Sequence, residues 1–441
     1  MKVAVLGLGS RGDTQPCAAL ALGLAARGHD VTLVAPGRYG GLVAGGGSPP
    51  RWSRATRGAE DATGVSAGGP VSGPESGPVA GRGGVGFVAL GVDPVAVVES
   101  AEGQAWLRGG ALGFVRGFRR VAEPLAARLA AEVDAACAGA DLVLAPALGA
   151  FGRHLHDRYG MPYMILQFQP SEPTGEFPNP LVPFAGLGRM ANRASYALVE
   201  RLGWLVLGRL VNRLRGSVLG LGPLRGSPFT ADRRDGVTVL CGVSPLVVPR
   251  PRDWPGYVHL SGYWRLPGAR SVGSGEAEAF VDAGGPVVYV GFGSMVAPEP
   301  ERVAGQVVRA CRMAGVRAVV QGLPVAASDE VCPVGEVPHE ALFPRMAAVV
   351  HHGGAGTTGA GLAAGVPNVV CPFFADQPFW GRRVAALGAG PPPLPIGRLS
   401  AGKLAARLNA VPIYREKSAE LGRLLRVEDG VRRALDVIER Y

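Results

Sequence analysis

Short apolar runs separated by helix-length stretches recur from one end of the chain to the other, and this rhythm restricts the fold most. "KVAVL" (Lys2 to Leu6), "VTLVA" (Val31 to Ala35), "VGFVAL" (Val85 to Leu90), "DLVLAP" (Asp141 to Pro146), "MPYMILQF" (Met161 to Phe168) and "VTVLCG" (Val237 to Gly242) read as buried strands. "GPVVYVGFGSM", "VRAVVQG", "AAVVHH" and "VPNVVCPFF" form a second set, after the polar linker "GARSVGSGEAE" (Gly268 to Glu278). Strands that alternate with helices pair in parallel, because a crossover helix brings the chain back to start the next strand in the same direction. The expected fold class is therefore α/β, with two doubly wound domains facing each other across a cleft, the usual place for a ligand. Helical patterns occupy roughly Ala111 to Ala138. From Gly40 to Gly86 the chain is mostly Gly, Pro, Ser, Ala and Arg, and reads as a flexible insertion too poor in large apolar residues to pack.

The loop after the first strand holds Gly7, Gly9 and Gly12 at the spacing of the dinucleotide fingerprint. Its context does not fit. Proline suits the first turn of a helix and breaks the interior. Pro16 therefore predicts a helix that starts near Thr14 or Gln15, with Asp13 or Thr14 as N-cap and Gly28 as its stop. The glycines would then precede the helix. The strand "VTLVA" lacks the terminal acid that holds a ribose 2′-OH, and Arg38, which suits a 2′-phosphate, is one arginine among many. With 68 glycines in the chain the spacing also arises readily by chance. An NADP-dependent oxidoreductase is one reading of this loop. The other is an exposed ligand loop above a parallel strand, with Asp13 near a helix N-terminus.

Charge and cysteines exclude some classes. The net charge is +10, yet of 45 basic residues only three are lysines (Lys2, Lys403 and Lys417), and they are scattered without interleaved aromatics. Nucleic acid is not an expected partner. The six cysteines show no C-x-x-C spacing, which points to reduced, buried thiols in a cytoplasmic protein and to no metal site. Neither a signal peptide nor a transmembrane helix is expected. The nearest approach, Tyr196 to Gly216, is interrupted by Arg201, Arg209, Arg213 and Arg215. It reads as an amphipathic surface helix or as a contact with a membrane surface.

A second glycine loop carries more chemistry. After the strand ending "VVH" come His352, Gly353, Gly354, Ala355, Gly356, Thr357 and Thr358, then a helix. Small residues let a phosphate approach the backbone, and a helix N-terminus offers unpaired N–H groups and partial positive charge. Thr357 adds a hydroxyl. His352 can donate a ring N–H and, if protonated, offset charge on a leaving diphosphate. One strand later Asp376 and Gln377 stand side by side, a carboxylate and an amide suited to adjacent sugar hydroxyls.

At these residues "HHGGAGTT" and "PFFADQPFW" resemble the donor signature of the UDP-glycosyltransferase superfamily. "GSRGDTQP", "QFQPSEPTGEFPNPLVP" (Gln167 to Pro183) and "GVSPLVVPRPRDWPGYVHLSGYW" (Gly242 to Trp264) extend the resemblance over most of the chain outside 40–86. The branches it looks like are the bacterial antibiotic glycosyltransferases of the glycopeptide type and the sterol and glycolipid glucosyltransferases. The resemblance implies the GT-B fold of two Rossmann-like domains. Residues 1–267 would hold the acceptor and 268–425 the nucleotide sugar, with a C-terminal helix, 426–441, packing back on the first domain. It implies an inverting transfer of a hexose from a UDP- or dTDP-sugar to an acceptor hydroxyl, without metal or cofactor. His352 and Thr357 would contact the diphosphate, with backbone donors from Gly354, Ala355 and Gly356. Asp376 and Gln377 would hold the sugar, Ser294 would approach the donor, and the base would rest near Val337. Asp13 would be the general base. Ala360 stands where plant relatives carry a ribose-binding glutamate, and the 40–86 stretch falls where relatives carry acceptor loops.

Several residues keep a second reading. Asp13 also suits a helix cap, and Asp376 with Gln377 the cap of a helix from Pro378. His351 reads as structural. His154 and His156 read as surface or core contacts, with catalysis as their second reading. Phe168, Phe177, Trp106, Phe114 and Trp204 either line an apolar acceptor pocket or fill the core. For the whole chain, the readings are an enzyme of secondary metabolism acting on a small lipophilic, polyketide-type acceptor, a sterol or membrane-lipid glucosyltransferase, a non-catalytic nucleotide-sugar-binding protein, or the oxidoreductase.

Overall fold

The computed structural model describes residues 1–43, 84–93, 123–186, 188–266, 275–293, 295, 297 and 299–441. Most of the 40–86 insertion, the 111–122 part of the expected helix, Trp106, Phe114, most of the Gly268 to Glu278 linker and Ser294 lie outside these residues. At the ends of the insertion, Gly37–Leu42 form a 3₁₀ turn and Val85–Leu90 a strand.

Twelve strands are described: β1 (Lys2–Leu6), β2 (Asp30–Pro36), β3 (Val85–Leu90), β4 (Leu142–Pro146), β5 (Tyr163–Gln167), β6 (Val239–Cys241), β7 (Val258–Leu260), β8 (Val287–Gly291), β9 (Arg317–Gln321), β10 (Val331–Val334), β11 (Ala348–His351) and β12 (Asn368–Val370). They form a seven-stranded sheet in the order β3-β2-β1-β4-β5-β6-β7 and a five-stranded sheet in the order β10-β9-β8-β11-β12. The central pairs are parallel, with Val5 opposite Leu33 and Leu144, and Val350 opposite Val290 and Val369. Buried on both faces, such strands read as continuous apolar runs. The apolar rhythm missed β7 and β10. Both are short edge strands, and β10 contains Pro333, which an edge tolerates because no ladder bond is lost there.

Strand order reverses between β1 and β4 in one sheet and between β8 and β11 in the other. Ligands of open α/β sheets sit beyond the strand C-termini at such switch points. The loop after β1 begins at Gly7 and the loop after β11 begins at His352, so each glycine loop of the sequence lies at a switch point.

Thirteen helices are described: α1 (Arg11–Ala26), α2 (Glu123–Cys137), α3 (Phe151–Tyr159), α4 (Arg189–Ser217), α5 (Pro228–Arg234), α6 (Gly275–Asp282), α7 (Pro300–Met313), α8 (His339–Leu342), α9 (Ala355–Ala364), α10 (Gln377–Ala386), α11 (Ala401–Asn409), α12 (Val411–Val427) and α13 (Gly430–Ile438). The chain divides into two compact units, residues 1–166, 200–240 and 434–441, and residues 167–199 and 241–433. In the first, Arg27 in the turn after α1 pairs with Asp436 at 2.8 Å and Glu439 at 2.6 Å. The second contains a core in which Val288, Val290, Val320 and Val350 pack on Val303 and Val307 of α7 and Leu404 of α11. All six cysteines are buried and free.

One expectation about α1 needs correction. The helix starts at Arg11, not at Thr14, and its N-cap is Ser10, not Asp13 or Thr14. Pro16 lies inside the helix, and Gly12 lies in its first turn, not in a preceding loop. The bond lost at Pro16 is a single one, to the Gly12 carbonyl near the helix end, while the Ser10–Asp13 capping box holds the first turn.

Candidate functional site

The loop between β11 and α9 is built around a buried histidine. His351 is fully buried, and its Nε2 meets Asn368 Oδ1 at 2.9 Å while its Nδ1 accepts the Gly353 N–H at 3.1 Å. That pattern places the proton on Nε2. Burial pushes His351 down to about 3, so the ring stays neutral. Asn368 in turn donates to the Val366 carbonyl at 2.9 Å, tying the loop to the start of β12. Gly353 has φ +93°, and a Cβ there would lie 2.7 Å from Val370 Cγ1 and 3.0 Å from the Gln377 carbonyl. The loop therefore turns hard against the start of α10, which needs glycine.

Behind this turn Gly354 caps α9, and the Thr358 N–H closes the first helical bond to the Gly354 carbonyl at 2.9 Å. The N–H groups of Ala355, Gly356 and Thr357 precede that bond and have no partner within the helix. The His352 ring lies between two glycines: a Cβ on Gly354 would sit 2.5 Å from its Nε2, and one on Gly293 3.0 Å from its Cε1. Its Nδ1 is buried without a hydrogen-bond partner. Desolvation pushes His352 down to about 4. The protonated form allowed by the sequence is thus corrected to a neutral ring at pH 7, which offers one N–H and one acceptor nitrogen.

Asp376 and Gln377 stand at the start of α10, Asp376 as its N-cap and Gln377 as its first residue. Gln377 Oε1 accepts the Phe373 N–H at 2.7 Å and the Phe374 N–H at 3.3 Å, bending the segment in which Ala375 has φ +56°. This corrects the expectation that Gln377 offers both functions to a ligand, since its carbonyl is spent on the loop and its NH₂ remains. Asp376 Oδ2 accepts the Trp380 Nε1–H at 2.8 Å. Because Gly353 touches the Gln377 backbone, the helix N-terminus and the carboxylate–amide pair share one corner of the second unit.

Asp13 is the third residue of α1. Its Oδ2 accepts both the Ser10 N–H and the Ser10 hydroxyl, each at 2.9 Å. A Cβ on Gly9 would lie 2.4 Å from that oxygen, and one on Gly7 3.0 Å from Thr14 Cγ2. The G-x-G spacing thus lets the loop pack on its own helix. Burial raises the Asp13 pKa more than the two Ser10 bonds lower it.

Val337 is buried in the core of the second unit, with Phe343 and Tyr289. Phe168 packs edge-on against Trp264 at 5.8 Å, and Phe177 lies tilted against Phe379 of α10 at 5.6 Å. His154 is buried and meets Arg215 Nη1 at 3.1 Å, and desolvation pushes it down to about 4. His156 Nδ1 meets the Met161 carbonyl at 3.0 Å. Both are structural. Arg38 pairs with Asp93. Sequence reasoning missed Asn368, which locks the loop between β11 and α9, and Arg382, which donates to the Pro183 and Phe184 carbonyls at 3.0 and 3.3 Å. The side chain two residues before β12's end and an arginine six after Asp376 carry no local pattern that would mark them.

Comparisons with known proteins bear on the family and the fold. The family model for the C-terminal domain of erythromycin biosynthesis protein CIII-like proteins matches residues 301–424. The chain is 33% identical over 464 residues to O-mycaminosyltylonolide 6-deoxyallosyltransferase of Streptomyces fradiae, covering 100% of this chain and 97% of that one. It is 31% identical over 476 residues to a sterol 3-beta-glucosyltransferase of Cryptococcus neoformans var. neoformans serotype D, but spans only 27% of that protein's length. Among solved structures it is similar to the glycotransferase of kitacinnamycin, at TM-score 0.64 and 20% identity, covering 100% of this chain and 98% of that one. It is also similar to the glycosyltransferase VinC in complex with dTDP, at TM-score 0.59 and 17% identity, covering 100% and 99%. At these identities the structures show the fold, which is GT-B. No helix of the described residues is long and apolar enough to cross a membrane.

Proposed function

The chain belongs to the UDP-glycosyltransferase superfamily, and from that membership we propose that it moves a hexose from a UDP- or dTDP-sugar to a hydroxyl of a small lipophilic, polyketide-type acceptor, with inversion and without a metal. The observation that carries this is the pairing of the α9 N-terminus with His352, a buried neutral imidazole whose Nδ1 has no protein partner. In this reading the acceptor oxygen attacks the anomeric carbon, the bond to the diphosphate breaks, and Asp13 takes the acceptor proton. The electrons leave on the diphosphate, where backbone N–H groups of Ala355, Gly356 and Thr357, the Thr357 hydroxyl and the His352 N–H receive the charge. Gly354, as the N-cap, leaves room for the His352 ring beside the helix N-terminus. Asp376 and the Gln377 NH₂ hold sugar hydroxyls, Val337 lies under the base, and Ser294 approaches the donor. Phe168 and Phe177 contribute apolar surface on the acceptor side.

A sterol or membrane-lipid acceptor is the second reading, favoured by the full-chain match to the sterol glucosyltransferase. The test is a panel of nucleotide sugars incubated with purified protein in excess EDTA, with products read by mass spectrometry. Hydrolysis or transfer from one UDP- or dTDP-hexose is expected, with a fall of about 10²-fold or more in His352→Ala. Activity that vanishes with EDTA and returns with magnesium or manganese would overturn the metal-free mechanism. Turnover of the His352→Ala protein like that of the native one would overturn the phosphate assignment.

A further inference from the structure

Helix α4 runs for 29 residues, Arg189–Ser217, and turns apolar side chains outward. Leu198, Leu202, Leu205 and Val206 are 55%, 53%, 68% and 43% exposed. Arg201, Arg209 and Arg213 are exposed as well. At 100° per residue these seven positions, with Ala194, fall within an arc of about 140°. A helix that served only to cover a core would bury its leucines and expose its polar residues. Here the large aliphatic residues share the outer face with the arginines.

The charge on that face has one sign. Glu200 is the only acid in α4, and it points elsewhere, bonding Thr230 at 2.6 Å and pairing with Arg233 of α5. Arg201 and Arg209 have no carboxylate partner among the described residues. An outward apolar stripe flanked by the Arg201 and Arg209 guanidinium groups suits an anionic bilayer. Leucines enter the acyl boundary while arginines reach lipid phosphates with their apolar stems laid along the interface. A protein partner matched to this face would need its own acidic, apolar groove, whereas a bilayer carrying anionic lipid supplies both properties without further shape.

We propose that the outer face of α4 is a docking surface for anionic membranes. The inference is independent of the acceptor's identity and of the catalytic reading, because its test reads binding alone. Full-length protein is sedimented with vesicles of phosphatidylcholine, with and without phosphatidylglycerol, at low and high salt. Binding to the anionic vesicles is expected, weakened by salt and absent from pure phosphatidylcholine. Arg201→Gln with Arg209→Gln should lower partitioning about 25-fold, taking about fivefold per arginine. Leu198→Ser, Leu202→Ser and Leu205→Ser together should lower it about tenfold or more. These positions are exposed, so circular dichroism of the variants should match the native chain. Three results would overturn the proposal. They are native protein left in the supernatant with anionic vesicles, a leucine variant that sediments like the native chain, and a native dimer in light scattering that Leu202→Ser dissociates, which would assign the face to a second copy.

Discussion

Asp13 shows how far one side chain's role depends on its neighbours. In the sequence it is an acid near a helix N-terminus, where the dipole would keep it ionised and weak as a base. In the fold it is half of a capping box with Ser10, and burial raises its pKa above the ordinary 3.8. A stronger base follows. Asp13→Asn should keep donor hydrolysis and lose transfer to acceptor by about 10²–10⁴-fold, the usual worth of general-base help. Because the raised pKa means protonation at a higher pH, transfer by the native protein should fall on the acid side before an ordinary carboxylate would titrate. A pH–rate profile of transfer, set against that of donor hydrolysis, checks this. If transfer in Asp13→Asn stays within a few-fold of native, the proton is taken elsewhere.

At the scale of elements, the β11–loop–α9 unit is the part of the site that sequence expressed best. A strand, a glycine run and a helix are local features, and each leaves a local signature. What holds the unit is less local. Gly353 must take φ +93° and leaves no room for a Cβ beside Val370. Gly353→Ala should destabilise the chain by about 1–3 kcal/mol through backbone strain, with the clash in addition. It should also weaken donor turnover, since the loop would move away from α10. Urea denaturation and donor hydrolysis measured on the same variant test both parts. A variant with native stability and native turnover would show that the loop is not pinned as described.

Across the whole molecule, buried neutral histidines set a dependence of stability on pH. His351 is held down to about 3 and His154 to about 4, against an ordinary value of 6.5. The unfolded chain therefore binds protons that the folded chain refuses. The stabilisation is complete above pH 6.5, shrinks as pH falls below it, and continues to shrink until the folded-state values are reached. At pH 5 each of the two histidines should cost about 2 kcal/mol relative to neutral pH. Thermal unfolding followed by circular dichroism at pH 7 and pH 5 should show a lower Tm at pH 5. Replacing His351 by a neutral residue that keeps the Asn368 bond, as in His351→Gln, should narrow that difference by its share and leave that of His154. An equal Tm at both pH values would mean that these rings are solvated in the folded chain.

The sequence by itself determined the strand–helix alternation, both glycine loops and the neighbourhood of His352, Asp376 and Gln377. Periodicity, turn residues and helix caps act over a few residues, and such short-range physics is written directly in the chain. It did not determine the N-cap of α1, because Pro16 argued locally for a later start while the Ser10–Asp13 pair argued for an earlier one. Nor did it show that Gln377 spends its carbonyl on Phe373 and Phe374, that Asn368 locks His351, or that α4 turns its leucines outward. Only the tertiary structure decided these, and with them the neutral state of His352 and the upward shift of Asp13. Burial and hydrogen-bond partners are properties of a place in the fold, and that place is assembled from residues far apart in the chain.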